Sequence, residues 1–184
     1  MCITMRTWLP LLNTKPAVIF TYRHPLEVAM SLQKRQGFAL WRGLRLWIQY
    51  NKAAIINSAD LCRVYSSNNA LLADPLNETK RIAAELTSKC HVPAAPKMID
   101  QDVVNNFVDN TLQHNKNELK HRAEEKPVLE THHGNCVVKD FDSREIKGSA
   151  EQKLEMKTYL IAMKMYCDFE SGDAYKDDYE WPAL

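Results

Sequence analysis

The stretch Val18-Ile-Phe-Thr-Tyr-Arg-His-Pro-Leu-Glu-Val-Ala-Met-Ser31 governs how the rest of the chain is read. Its first five residues are β-branched or aromatic and complete an apolar run that starts at Pro16, after Lys15. Such residues fit a pleated surface, and an unbroken run of this length predicts a strand over 16–22 buried on both faces. Arg23-His24-Pro25 closes the run. Proline suits the first turn of a helix, where its missing N–H would have no partner anyway. Glu27 falls in the same turn and complements the helix dipole. The pattern therefore predicts a helix from Pro25 to about Gln36, stopped by Gly37.

Working outward, Leu40, Leu44, Trp47, Ile48 and Ile55 give a second helix, over about 38–59, an apolar side. Arg42, Arg45, Gln49 and Lys52 fall on its watery side. Asp60 ends it, and 61–65 (Leu-Cys-Arg-Val-Tyr) predicts another short strand. Asp74-Pro75 pairs a capping residue with a first-turn proline, so a helix is expected from there to about Cys90, with Ile82, Ala83 and Leu86 as its inner stripe. After a two-proline loop over 91–96, Asp100 caps a helix carrying Val103, Val104, Phe107, Val108 and Leu112. Residues 113–148 are polar and aperiodic and predict a long excursion. Ser149-Ala-Glu-Gln152 is a capping box, and Met156, Tyr159, Leu160, Met163 and Tyr166 follow at helical spacing. The tail 172–184 is acidic and aromatic. Strands alternating with helices indicate an α/β protein: a partial three-layer sandwich, helix-rich, with a short parallel sheet flanked by helices. The expected organisation is a core over 1–112, the excursion over 113–148, and a terminal helix and tail over 149–184 belonging to the same domain.

With 184 residues the chain is about one domain long. Lys and Arg total 24 against 23 Asp and Glu, a net charge of +1 that gives no electrostatic basis for binding nucleic acid or a charged membrane. No apolar run approaches the ~18 to 20 residues of a membrane span, and the N-terminus lacks the pattern of a signal peptide. Cys2, Cys62, Cys90, Cys136 and Cys167 are odd in number and widely spaced, which reads as reduced thiols in a cytoplasmic protein. With 5 glycines there is no Gly-rich phosphate loop.

Arg23 stands where the strand ends, and Ser31 lies about two turns into the following helix. Ligands of open α/β sheets bind beyond the carboxyl ends of the strands. A forked, permanently charged guanidinium there, supplemented by a hydroxyl, suits a phosphate dianion. The plainer reading pairs Arg23 with a surface carboxylate and makes Ser31 a small packing residue. Other candidates read as structural. His132-His133-Gly-Asn-Cys136 has neither the paired spacing nor the four ligands of a zinc site, so no metal is expected. His24 lies beside Arg23, where it could touch a phosphate, but reads as the start of the helix, and Trp41 and Trp47 accompany a leucine stripe. The cysteines lack an adjacent base. Asn77-Glu-Thr79 is a glycosylation sequon that reads as unused, since it falls in an expected first helical turn of a chain without a signal-peptide pattern.

The stretch 20–32, FTYRHPLEVAMSL, resembles the 3′-phosphate-binding segment of PAPS-dependent sulfotransferases. Arg23, Pro25, Glu27, Val28, Ala29 and Ser31 fit that family's strand-then-Arg-x-Pro-x-(Asp/Glu)-Val-Ala-x-Ser pattern. A second stretch, Leu71-Leu-Ala-Asp-Pro75 followed by Ile82-Ala-Ala-Glu-Leu86, resembles the family's later Asp-Leu-x-x-Asp-Pro turn and helix. The resemblance covers roughly residues 1 to 110. It implies a fold similar to P-loop nucleotide kinases and transfer of a sulfuryl group from 3′-phosphoadenosine 5′-phosphosulfate (PAPS) to a hydroxyl or amine. It also implies a small-molecule or carbohydrate acceptor, with Arg23 and Ser31 binding the 3′-phosphate.

The chain departs from the family in other places. Its phosphosulfate loop, Pro-Lys-x-Gly-(Thr/Ser)-Thr, is missing, and Arg6-Thr7-Trp8 precedes Leu9-Pro10 where the family carries its catalytic His. Asn68-Asn69 stands in place of a Tyr-Glu pair, and there is no late Arg-Lys-Gly run. The expectation is a sulfotransferase, or an N-terminally truncated one, with catalytic residues unassigned and an exposed sheet edge through which copies associate. The competing expectation is a non-catalytic helical interaction protein that keeps only the scaffold.

Overall fold

In a computed structural model of the protein, residues 3–93, 100–107, 130–132, 135–137 and 147–184 are described. The chain is helix-rich and α/β, with a short two-stranded parallel sheet and helices packed on it. It divides into two compact units: Met1–Arg23 with Tyr50–Gln113, and His24–Gln49 with His114–Leu184. The division passes through one long helix.

In the first unit, a short helix α1 (Met5–Trp8) runs through a 3-10 turn, Leu9–Leu11, towards β1 (Val18–Tyr22). β1 pairs in parallel with β2 (Arg63–Ser67), Val18 opposite Arg63 and Tyr22 opposite Ser67. The unbroken apolar run predicted burial on both faces of β1, but burial alternates. Phe20 and Tyr22 are buried, whereas Ile19 is 47% exposed and Thr21 is exposed. Ile19 and Thr21 share one face, and that face opens on a cavity. β2 starts two residues later than its composition suggests, because Ser58–Asp60 form a turn after the long helix and Leu61 N–H donates to the Ser58 carbonyl at 3.0 Å.

Ser67 ends β2 and caps α4 (Asn68–Ala73), its hydroxyl accepting from Ala70 N–H at 3.1 Å. Asp74 then caps α5 (Pro75–Ser88), accepting from Asn77 N–H at 3.1 Å, as the Asp-Pro signal predicts. α5 packs on β2. Its stripe of Ile82, Ala83 and Leu86 is only half-buried, since no residue of this helix is fully covered. α6 (Gln101–Phe107) follows its expected cap, Asp100, but Val103 and Phe107 are 65% and 90% exposed. Val108 and Leu112 lie outside the described residues, as does most of 113–148.

The reading of the cysteines as reduced thiols is overturned. Cys62, just before β2, is joined to Cys90, just beyond α5, in a disulfide with the Cα atoms 5.4 Å apart. Cys167 is disulfide-bonded as well. A return of α5 along β2 brings residues 28 apart in sequence into contact, and spacing alone carries no trace of that.

In the second unit, α2 spans Pro25–Gln36 with Gly37 in the left-handed region at φ 68°, matching the predicted bounds. α3 (Leu40–Asn57) contributes its first half, through Gln49, and buries Leu40, Leu44, Trp47 and Ile48. A hairpin of β3 (Glu130–His132) and β4 (Asn135–Val137) precedes α7 (Ala150–Ser171). Both halves of the Ser149–Gln152 capping box are formed, and Gly172 ends α7 at φ 84°. Tyr159, Met163 and Tyr166 are buried as their spacing predicts, together with Ala162, Met165 and Phe169.

α2 and α3 meet at Gly43, where a Cβ would stand 2.8 Å from the Ala29 Cα. That atom is backbone and can yield only if a helix shifts. Gly43→Ala gains up to about 1 kcal/mol of helix propensity but incurs an overpacking cost of about 1–3 kcal/mol. The expected outcome is a lower denaturation midpoint, by urea titration, than for the exposed-site control Arg45→Ala. A raised midpoint would show that the two helices part freely.

Candidate functional site

Parallel pairing sets the carboxyl ends of β1 and β2 level, with Tyr22 opposite Ser67. That end of a parallel sheet is where ligand-binding side chains gather. Arg23 follows β1 directly and is half-buried. On β2, the buried Ser66 donates its hydroxyl to Glu78 Oε1 of α5 at 2.7 Å. Glu78 in turn accepts from Arg81 Nε at 2.8 Å and Nη2 at 2.6 Å. Arg81 also donates to the Tyr65 carbonyl and to Glu85 Oε1, each at 2.5 Å, and Lys89 reaches Glu85 Oε2 at 2.7 Å.

This network clamps α5 to the end of β2. Hydrogen bonding from Arg81 holds the Glu78 carboxyl below its ordinary range against the opposing effect of burial, with Ser66 adding to it. Lys89 and then Arg81 do the same for Glu85, again against burial, and the carboxylates hold the Arg81 proton more firmly than usual. Arg81 is thus matched by two carboxylates and a carbonyl. Its charge serves the scaffold, while Arg23 brings a second guanidinium to this end of the sheet.

The sequence reading selected Arg23 and Ser31. Arg23 closes the first unit at the end of β1, and Ser31 is half-buried in the second turn of α2, in the second unit. His24 occupies the N-cap of α2, where its carbonyl accepts from Val28 N–H at 3.2 Å. Its ring meets Tyr166 edge-on, 5.1 Å between centroids, a packing role. Trp47 is buried against Phe169 at 5.9 Å and Trp41 is half-buried. His133 lies outside the described residues. Among the described residues no three His, Cys, Asp or Glu side chains are grouped to hold a metal ion.

Ser66, Glu78 and Arg81 were not singled out in the sequence. The spacing of Glu78, Arg81 and Glu85 does announce an ion-paired helix face. The bond to Ser66 depends on how α5 packs on β2 and leaves no local signal. Also unforeseen is an apolar cavity of about 370 Å³ beside β1, walled by Met5, Trp8, Leu12, Ile19, Tyr50 and Leu61. Its volume lies within the range of small-molecule sites.

No protein-family model, curated protein or solved structure matches the chain. Among the described residues no helix is long and apolar enough to cross a membrane.

Proposed function

We propose that the chain is a PAPS-dependent sulfotransferase, or part of one, in which Arg23 and Ser31 hold the 3′-phosphate of PAPS. The observation that carries this reading is the local architecture of 18–36. β1 ends immediately before Arg23 and α2 begins at Pro25, so the motif residues occupy the strand–turn–helix that such a phosphate segment requires. In the reaction, an acceptor oxygen or nitrogen attacks the sulfur and the bond from sulfur to the 5′-phosphate oxygen breaks. Adenosine 3′,5′-bisphosphate leaves, and the acceptor gives its proton to a base. Arg23 supplies a bidentate charged clamp and Ser31 one neutral hydrogen bond, and neither reacts. The catalytic base is unassigned. The acceptor is a small molecule or carbohydrate, and the near-zero net charge supports no nucleic-acid partner.

A second reading, an interaction protein that keeps only the scaffold, draws on the exposure of Val103 and Phe107 on α6. It accommodates self-association, because among the described residues the second edge of β1 has no paired strand. The cytoplasmic setting expected from the sequence rested on the lack of a signal-peptide pattern and of a membrane span, and on reduced thiols, of which the disulfide overturns the last. The Cys62–Cys90 bond instead favours an oxidising compartment.

Calorimetric titration with adenosine 3′,5′-bisphosphate, with adenosine 5′-phosphate as control, tests the first reading against the second. Selective binding of the bisphosphate is expected. A hydrogen bond to a charged group contributes about 1.5–3 kcal/mol, so Arg23→Ala should weaken binding about 10- to 150-fold. Ser31→Ala, losing a bond of about 1 kcal/mol, should weaken it about five-fold. Undiminished affinity in Arg23→Ala would refute the phosphate assignment, and no binding by the folded wild-type chain would favour the interaction protein.

A further inference from the structure

The disulfide changes the standing of a second motif. Asn77-Glu-Thr79 is the one Asn-x-Ser/Thr sequon in the sequence, its middle residue is not proline, and Lys80 follows it. Two features of the sequence speak against its use: its place in a first helical turn, which the structure confirms, and the lack of a signal-peptide pattern. The Cys62–Cys90 bond outweighs the second, since structural disulfides form and persist in secretory and extracellular compartments, and attachment to the emerging chain, before α5 forms, answers the first.

Local geometry meets the remaining requirements. Asn77 is exposed, in the first turn of α5, as a bulky glycan needs. Its neighbour Glu78 is the residue that bonds to Ser66 of β2. The Asn77 side-chain nitrogen donates to Asp74 Oδ2 at 2.7 Å, and an amide nitrogen carries two hydrogens. Replacing one by a sugar leaves the other for Asp74. The capping bond from Asn77 N–H to Asp74 Oδ1 is a backbone bond and is untouched. A glycan at this position therefore costs the helix none of its start signals. The Thr79 hydroxyl donates to the Pro75 carbonyl at 2.7 Å, within the same turn.

We propose that Asn77 is an N-glycan acceptor and that the chain folds in the oxidising lumen where such glycans are attached. In the transfer, a bond forms between Asn77 Nδ2 and the anomeric carbon of a polyprenyl-pyrophosphate-linked oligosaccharide. The bond from that carbon to the pyrophosphate oxygen breaks. The lipid pyrophosphate leaves with the electron pair, and one amide proton is lost to the transferase. This proposal does not depend on the sulfotransferase reading.

The test is expression of the full chain behind a cleavable secretory leader in eukaryotic cells, followed by a non-reducing peptide map of the secreted and retained protein. Attachment acts on the emerging chain, so a variant that folds poorly still reports. The expected result is one glycan on the Asn77 peptide, removed by peptide-N-glycosidase, together with an intact Cys62–Cys90 cross-link. Asn77→Gln and Thr79→Ala should each abolish the glycan, and Thr79→Ser should retain it. An unmodified Asn77 peptide overturns the proposal, as do reduced Cys62 and Cys90 in the secreted wild-type protein, or a glycan that survives Asn77→Gln.

Discussion

Phe169→Ala is expected to be among the most destabilising substitutions in this protein, lowering stability by about 3–5 kcal/mol. Phe169 is 2% exposed, on the inner face of α7. Its ring stands 5.9 Å from Trp47 of α3 and is stacked 5.9 Å from Tyr175, in the 3-10 turn after the helix. One side chain thus joins three parts of the second unit. Truncation removes the apolar area buried by the ring and leaves a hole bordered by two rigid aromatics, which cannot collapse as aliphatic neighbours do. Against a typical total of about 5–15 kcal/mol, that loss leaves the unit near its threshold. At roughly 2–4 °C per kcal/mol for a chain this size, the thermal midpoint should fall by on the order of 10 °C. Scanning calorimetry of Phe169→Ala beside Phe169→Leu checks it, the leucine retaining much of the volume and most of the stability. A loss below about 1 kcal/mol would show that Trp47 and Tyr175 close over the gap.

What could be read beforehand is what local chemistry dictates. α2 begins at a proline whose missing N–H costs nothing there and ends at a glycine that accepts positive φ, so both bounds were legible. The same holds for the Ser149 box and the Asp74 cap, where a side chain bonds a backbone N–H a few residues away. What depends on the partner was less legible. Val18–Tyr22 reads as doubly buried, yet whether Ile19 is covered is decided by its neighbours, and a cavity borders it. Val103 and Phe107 lie at helical spacing, but spacing promises a shared face and not a surface to cover it. At the candidate site, Arg23 was legible because a charged fork at a strand end is unusual. The clamp of Ser66, Glu78 and Arg81 was not, because its members meet only once α5 has docked on β2. The Cys62–Cys90 pair belongs to the same non-local class.

That pair sets the other large expectation. The cross-link closes a loop of 28 residues holding β2, α4 and α5, and the chain-entropy relation assigns such a loop about 3–4 kcal/mol. The stabilisation acts on the unfolded chain, which has fewer conformations to lose when its ends are tied. Cys62→Ala/Cys90→Ala should therefore lower the urea midpoint, and the wild-type chain with this bond reduced should behave alike. Protection from hydrogen exchange should fall in 63–88 and change little in α2 and α7, which lie in the other unit. The location of the loss matters to function. α5 bears on β2 through the Glu78 and Arg81 bonds and through this covalent tie just beyond its end. With the tie gone, only the half-buried stripe of α5 and these part-buried charge-assisted bonds hold the helix on β2. The carboxyl end of β2, level with Arg23, should then open first, and any affinity for adenosine 3′,5′-bisphosphate should fall along with stability. Equal midpoints for the double variant and the wild type would show that tying Cys62 to Cys90 removes little freedom from the unfolded chain.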